Sequence, residues 1–166
     1  MPEKTTMKRA RQAKRSGKAP TTQAGEFVRE EIEHVREGKH GAKSTKQAIA
    51  IGLSKARRSG VHLPPPPRGS KASTRRSAAS ASRAGRHRRR PSPKRSRATR
   101  RALQRYGRRR VASRAALSRQ AKSAARRRSA PSRRRAAERA VRTKGPRVRK
   151  MAARKAARTR RRRAQA

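Results

Sequence analysis

The side chains able to do acid–base or ligand chemistry are few. Four histidines, His34, His40, His62 and His87, and seven glutamates stand in a chain with no aspartate and no cysteine. The histidine spacings place no set of them on one helix face, and five of the glutamates fall within positions 26–37 among compensating charge. No catalytic residue, metal site or cofactor is therefore expected. Without thiols there is no disulfide framework, thiolate chemistry or cysteine zinc site. The glutamates read as internal counter-charges.

Abundant chemistry lies instead in phosphate recognition. Lys and Arg number 55 against 7 acidic residues, a formal net charge of +48 in 166 residues. A compact domain usually carries a net charge of magnitude ~2–8, so a polyanion must compensate this excess. The cations cluster in runs: Arg86, Arg88, Arg89, Arg90, Lys94 and Arg95; Arg108, Arg109 and Arg110; Arg126, Arg127 and Arg128; Arg133, Arg134 and Arg135; and Arg160, Arg161, Arg162 and Arg163. Arginine dominates them, and its planar fork suits bidentate phosphate contacts and narrow minor grooves. These runs are the expected nucleic-acid-binding residues. Lys43, Ser44 and Lys46, at the start of a predicted helix, form a second candidate phosphate site, because free amides at a helix N-terminus attract anions.

The elements that position these groups fall into two regions. Residues 1–67 hold 15 basic and 6 acidic side chains, and residues 68–166 hold 40 and 1. Four prolines at 64–67 separate them, a polyproline run that cannot continue a helix. The expected organisation is a basic N-terminal arm over 1–20, a helical head over 21–63, a stiff spacer over 64–67 and an arginine-rich tail over 68–166.

In the head, Ala24, Val28, Ile32 and Val35 fall on one stripe at helical spacing, with Phe27 at its edge and Gly38 as the stop. Ser44 and Gln47 match a capping box that opens a second helix. Ile49, Gly52, Leu53 and Ala56 make its inner stripe, and Gly60 with Val61 suits a left-handed cap. Gly52 on that stripe predicts close approach of the two helices. An αα-hairpin follows. At about 40 residues it is near the lower limit for independent folding, so a homo-oligomer through the head is an expected partner contact, with Ile51 projecting away from the inner stripe.

The tail reads differently. Low hydrophobicity with high net charge buries too little apolar area to offset conformational entropy, so the chain is expected to be mostly disordered with a small all-α head. Transient helices are expected over 96–106, 113–128 and 132–144, each opening at serine and stopping near glycine or proline. Fully extended, the 99 tail residues would reach roughly 330 Å, far enough to bridge duplexes.

Residues 25–63, GEFVREEIEHVREGKHGAKSTKQAIAIGLSKARRSGVHL, resemble a family of small basic bacterial proteins catalogued as a domain of unknown function, most clearly over KQAIAIGLSKAR at 46–57. The resemblance implies a bacterial origin and a folded head, and supplies no catalytic residues.

Together these features predict a nucleoid-associated, histone-like protein that binds and compacts DNA without sequence preference. Duplex DNA is the first expected partner. RNA or the ribosome is the alternative, as is a protein-interaction head tethered to nucleic acid by its tail. No apolar stretch marks a signal or a membrane span, so the expected place is the cytoplasm, on the nucleoid.

Overall fold

A computed structural model describes residues 2–87, 92–106 and 111–165. Among them are seven helices and no strand: α1 (Lys4–Arg15), α2 (Pro20–Glu37), α3 (Thr45–Arg58), α4 (Ala72–Arg86), α5 (Pro93–Gln104), α6 (Arg114–Arg126) and α7 (Ala130–Ala164). About three quarters of the described residues are helical. This overturns the expectation of a mostly disordered chain. That expectation rested on the shortage of large apolar side chains, whereas alanine and arginine, which replace them, are both strong helix formers. Prolines sit in the first turns of α2, α5 and α7, where the lost N–H is no loss. A helix also rises only ~1.5 Å per residue, so the 330 Å reach of an extended tail does not apply.

The hairpin forms as its signals predict. Pro20 opens α2, and Ala24, Phe27, Ile32 and Val35 are buried on it. Ser44 Oγ accepts the Gln47 N–H at 3.2 Å, and Gln47 Oε1 accepts the Lys43 N–H at 2.6 Å. The glutamine thus reaches one residue further back than an ideal capping box. Ser44→Ala is expected to cost about 1 kcal/mol, read as a lowered melting temperature by circular dichroism. At the far end of α3 the Val61 N–H reaches the Ala56 carbonyl and the Gly60 N–H that of Arg57, both at 3.1 Å. That pairing is a Schellman cap, and Val61 packs against the core beside it.

One stripe differs. The buried positions of α3 are Ala48, Gly52, Ala56 and Arg57, while Ile49 is only partly covered. Alanine, not isoleucine, faces the crossing because the helices approach too closely for a larger side chain. The same rule holds throughout: nine of the twelve buried apolar residues described are alanines. One cluster joins Ala10, Ala24, Phe27 and Ala56, and a second joins Ile32, Val35, Ala42, Ala48 and Ala112.

Ala112 reveals that residues beyond the prolines complete the head. The Arg36 Nε–H donates to the Ala112 carbonyl at 2.9 Å, Thr45 Oγ1 to that of Val111 at 2.7 Å, and the Gly41 N–H to that of Leu103 at 3.1 Å. α4, which no sequence signal marked, packs on α3 through buried Ala78 and Ala81. The N-terminal arm is likewise helical, and α1 packs on α2. Residues 64–67 are non-helical, and Pro64 accepts a hydrogen bond from the buried Arg57 side chain at 3.0 Å. Desolvation lowers the Arg57 pKa from its ordinary value.

Two compact units result, Met1–Gln120 and Ala121–Ala166. In the second, α7 passes through Gly145, whose φ of 51° and ψ of 163° are non-helical, and resumes at Pro146. That break falls where the sequence predicts a stop. No described helix is long and apolar enough to cross a membrane.

Candidate nucleic-acid interface

The arginine runs occupy helix surfaces. Arg86 ends α4, Lys94 and Arg95 open α5, and Arg126 ends α6 with Arg127 and Arg128 just beyond it. Arg133, Arg134 and Arg135 lie in the first turns of α7, and Arg160, Arg161 and Arg162 in its last. All of these side chains are exposed. Arg88, Arg89, Arg90, Arg108, Arg109 and Arg110 lie outside the described residues, as does the side chain of Arg163.

Helical spacing gathers cations that the linear sequence scatters. On α7, Arg154, Arg158 and Arg162 recur every four residues, and with Lys155 and Thr159 they line one shallow depression. α5 and α6 bury no residue, and every described side chain of α7 is at least partly exposed. Val141, Val148 and Met151 are its exposed large apolar side chains.

The second candidate, Lys43, Ser44 and Lys46, has all three side chains exposed at the start of α3. Its capping groups are already engaged: Ser44 Oγ with Gln47 and the Lys43 amide with the Gln47 side chain. The two lysines remain available as point charges, while part of the helix-terminal amide array is taken.

What the sequence missed is a polar network beneath the hairpin. Glu30 and Glu31 on α2 are buried. Lys55 of α3 answers both, its Nζ lying 3.2 Å from Glu30 Oε1 and 2.7 Å from Glu31 Oε2. His40 Nε2 lies 3.2 Å from Glu31 Oε1. Glu3, ahead of α1, joins from the other side: its carboxylate meets His34 Nε2 at 2.8 Å and Lys39 Nζ at 3.4 Å, and its N–H donates to Glu30 Oε2 at 3.2 Å. Hydrogen bonds from His34 and Lys39 hold the Glu3 carboxyl below its ordinary pKa. Contact with Glu37, then with Glu3, raises that of Lys39.

This network brings His34 and His40 together, with ring centroids 5.9 Å apart and nearly perpendicular planes. Their spacing of six residues does not fit one helix face. Gly38 explains it: its φ of 78° ends α2 in a left-handed turn, with the Lys39 N–H on the His34 carbonyl at 3.0 Å. The chain then folds back, and His40 returns beside the helix that carries Glu31 and His34. The readable signals were Glu31-x-x-His34, one face of a helix, and the glycine two residues before His40.

Residues 11–67 match a family of unknown function (DUF6496). The resemblance read at 25–63 to a domain of unknown function is thus borne out, and the match also takes in the end of α1. No curated protein and no solved structure matches the chain.

Proposed function

We propose that this protein binds duplex DNA without sequence preference through its arginine-covered helices, and that it acts as a compacting, nucleoid-associated protein. The observation that carries this reading is α7. Its 35 residues hold sixteen basic side chains and one acidic one, Glu138, with no apolar face to pack. Such a helix gains no stability from a buried stripe. Its cations three and four apart repel by about 0.2–0.5 kcal/mol per pair, and phosphates remove that repulsion while accepting the arginine forks.

Helical geometry favours DNA over RNA. An α-helix of ~10–12 Å diameter fits the ~12 Å major groove of B-DNA, whereas the major groove of duplex RNA is deep and too narrow for it. Compaction needs two binding surfaces. The unit Ala121–Ala166 carries 20 basic residues against 1 acidic, and Met1–Gln120 carries 35 against 6. Each has charge enough to hold a duplex.

Binding to random, A·T-rich and G·C-rich DNA duplexes and to duplex RNA of equal length tests the reading. The three DNAs should bind alike, apart from differences of groove width, and the RNA more weakly. Replacing the α7 arginines by lysine should lower affinity modestly and leave its salt dependence unchanged, because charge is kept while bidentate geometry is lost. Tighter binding to RNA would move the protein to RNA. Strong preference for one DNA site would replace phosphate contact by base-edge reading.

A further inference from the structure

Glu31, His34 and His40 place one carboxylate oxygen and two imidazole nitrogens within 4.8 Å of one another at the end of α2. We infer that they form a binding site for a divalent transition-metal cation of the zinc type.

The first support is the state of Glu31. Its side chain is fully buried; its nearest cation, Lys55 at Oε2, is shared with Glu30, and no directed hydrogen bond reaches Oε1. A buried carboxylate so placed is costly unless a cation compensates it. Lys55 Nζ stands at Oε2. Oε1 is left to His40 Nε2, 3.2 Å away. Two ligands of a tetrahedral zinc, with bonds of ~2.0–2.1 Å, lie roughly 3.4 Å apart. One edge of that tetrahedron is already formed.

The second support is the surroundings of the two rings. Metal-ligating histidines donate their other ring N–H to a carbonyl or carboxylate, which fixes the tautomer and raises basicity. His40 Nδ1 lies 3.2 Å from the Gly41 carbonyl, and His34 Nε2 lies 2.8 Å from Glu3 Oε1. With those protons donated, His40 keeps its Nε2 lone pair toward Glu31 and His34 keeps that of Nδ1. Local charge agrees, since Glu3, Glu30 and Glu31 outnumber Lys39 and Lys55 in the network. Two imidazoles and one carboxylate suit zinc and its neighbours, whereas magnesium and calcium prefer oxygen ligands alone. Water would complete the set. A bound ion would tie α2 to the turn after Gly38 and, through Glu3, to the start of α1, a role separate from nucleic-acid binding.

The test uses the full chain without nucleic acid, titrated with Co²⁺ and then with Zn²⁺. The expected result is one equivalent of cobalt with the visible bands of a four-coordinate site, displacement of those bands by zinc, and a raised melting temperature with zinc but not with Mg²⁺. His40→Ala and His34→Ala should each abolish the bands, and Glu3→Gln should weaken binding about tenfold as the loss of an orienting partner. Joint replacement of His62 and His87 by alanine should change nothing. Far-UV circular dichroism establishes that each variant is folded, and the wild-type titration decides on its own where one is not. Absence of the cobalt bands in the wild type, or their survival in folded His40→Ala, would overturn the site.

Discussion

Removing residues 121–166 is expected to lower affinity for duplex DNA by at least ~10³-fold near physiological salt while leaving the rest of the chain folded. The deleted unit carries 20 of the 55 cations and one acidic residue. Binding by counterion release follows log K against log salt with a slope of about −0.9 per phosphate contact. If half of those cations touch phosphate, the truncated chain should show a slope shallower by roughly 9. The full chain should lose about 10⁵-fold in affinity between ~50 and ~200 mM salt on those contacts alone. Cutting after Gln120 removes the second half of α6 but retains Leu117, which packs on the core, together with Ala78, Ala81 and Ala112, so the core stays whole. A cut at the prolines would remove all three, along with the carbonyls that hold Arg36 and Thr45, and would confuse lost binding with lost folding. Full affinity and an unchanged slope in the 1–120 fragment would place binding in that unit alone.

Gly52→Val is expected to destabilise the hairpin by about 3 kcal/mol or more, a melting temperature lower by on the order of 10 °C. A Cβ built at Gly52 would lie 2.7 Å from Val28 Cα and 3.0 Å from Phe27 O and Val28 N. All three are backbone atoms, which cannot rotate away. α2 and α3 would have to separate, loosening the packing of Phe27 and Ala56, both fully buried. Gly52→Ala meets the same backbone but recovers up to ~1 kcal/mol of helix propensity, so its net loss should be smaller. Gly25 is the control. It lies within α2 with nothing inside 4 Å of its added Cβ, and Gly25→Ala should stabilise the chain by about 0.5–1 kcal/mol. Thermal melts of the three variants decide the matter. An unchanged melting temperature in Gly52→Val would refute the close crossing.

The sequence by itself determined the parts of the molecule that depend on neighbours within a few residues. The α2 stripe, the stop at Gly38, the cap at Ser44 and the turn at Gly60 are local, because periodicity and terminal hydrogen bonds are set by residues at most five apart. Gly52 was legible too, since a glycine on an inner helix stripe has few other uses. Charge was legible as a total.

Tertiary structure decided the rest. Alanine carries little hydrophobicity of its own, so Ala78, Ala81 and Ala112 read as low-complexity sequence and became core only where backbones come close enough to enclose them. Val111 and Ala112 lie 66 and 76 residues from Thr45 and Arg36, the side chains that reach their carbonyls, a separation that no periodicity reports. For the same reason the histidines look unrelated in the sequence. Only the left-handed turn at Gly38 and the packing of α1 and α3 around α2 bring Glu3, Glu31, His34, His40 and Lys55 into one network, because a ligand set depends on distances in space, which the fold alone sets.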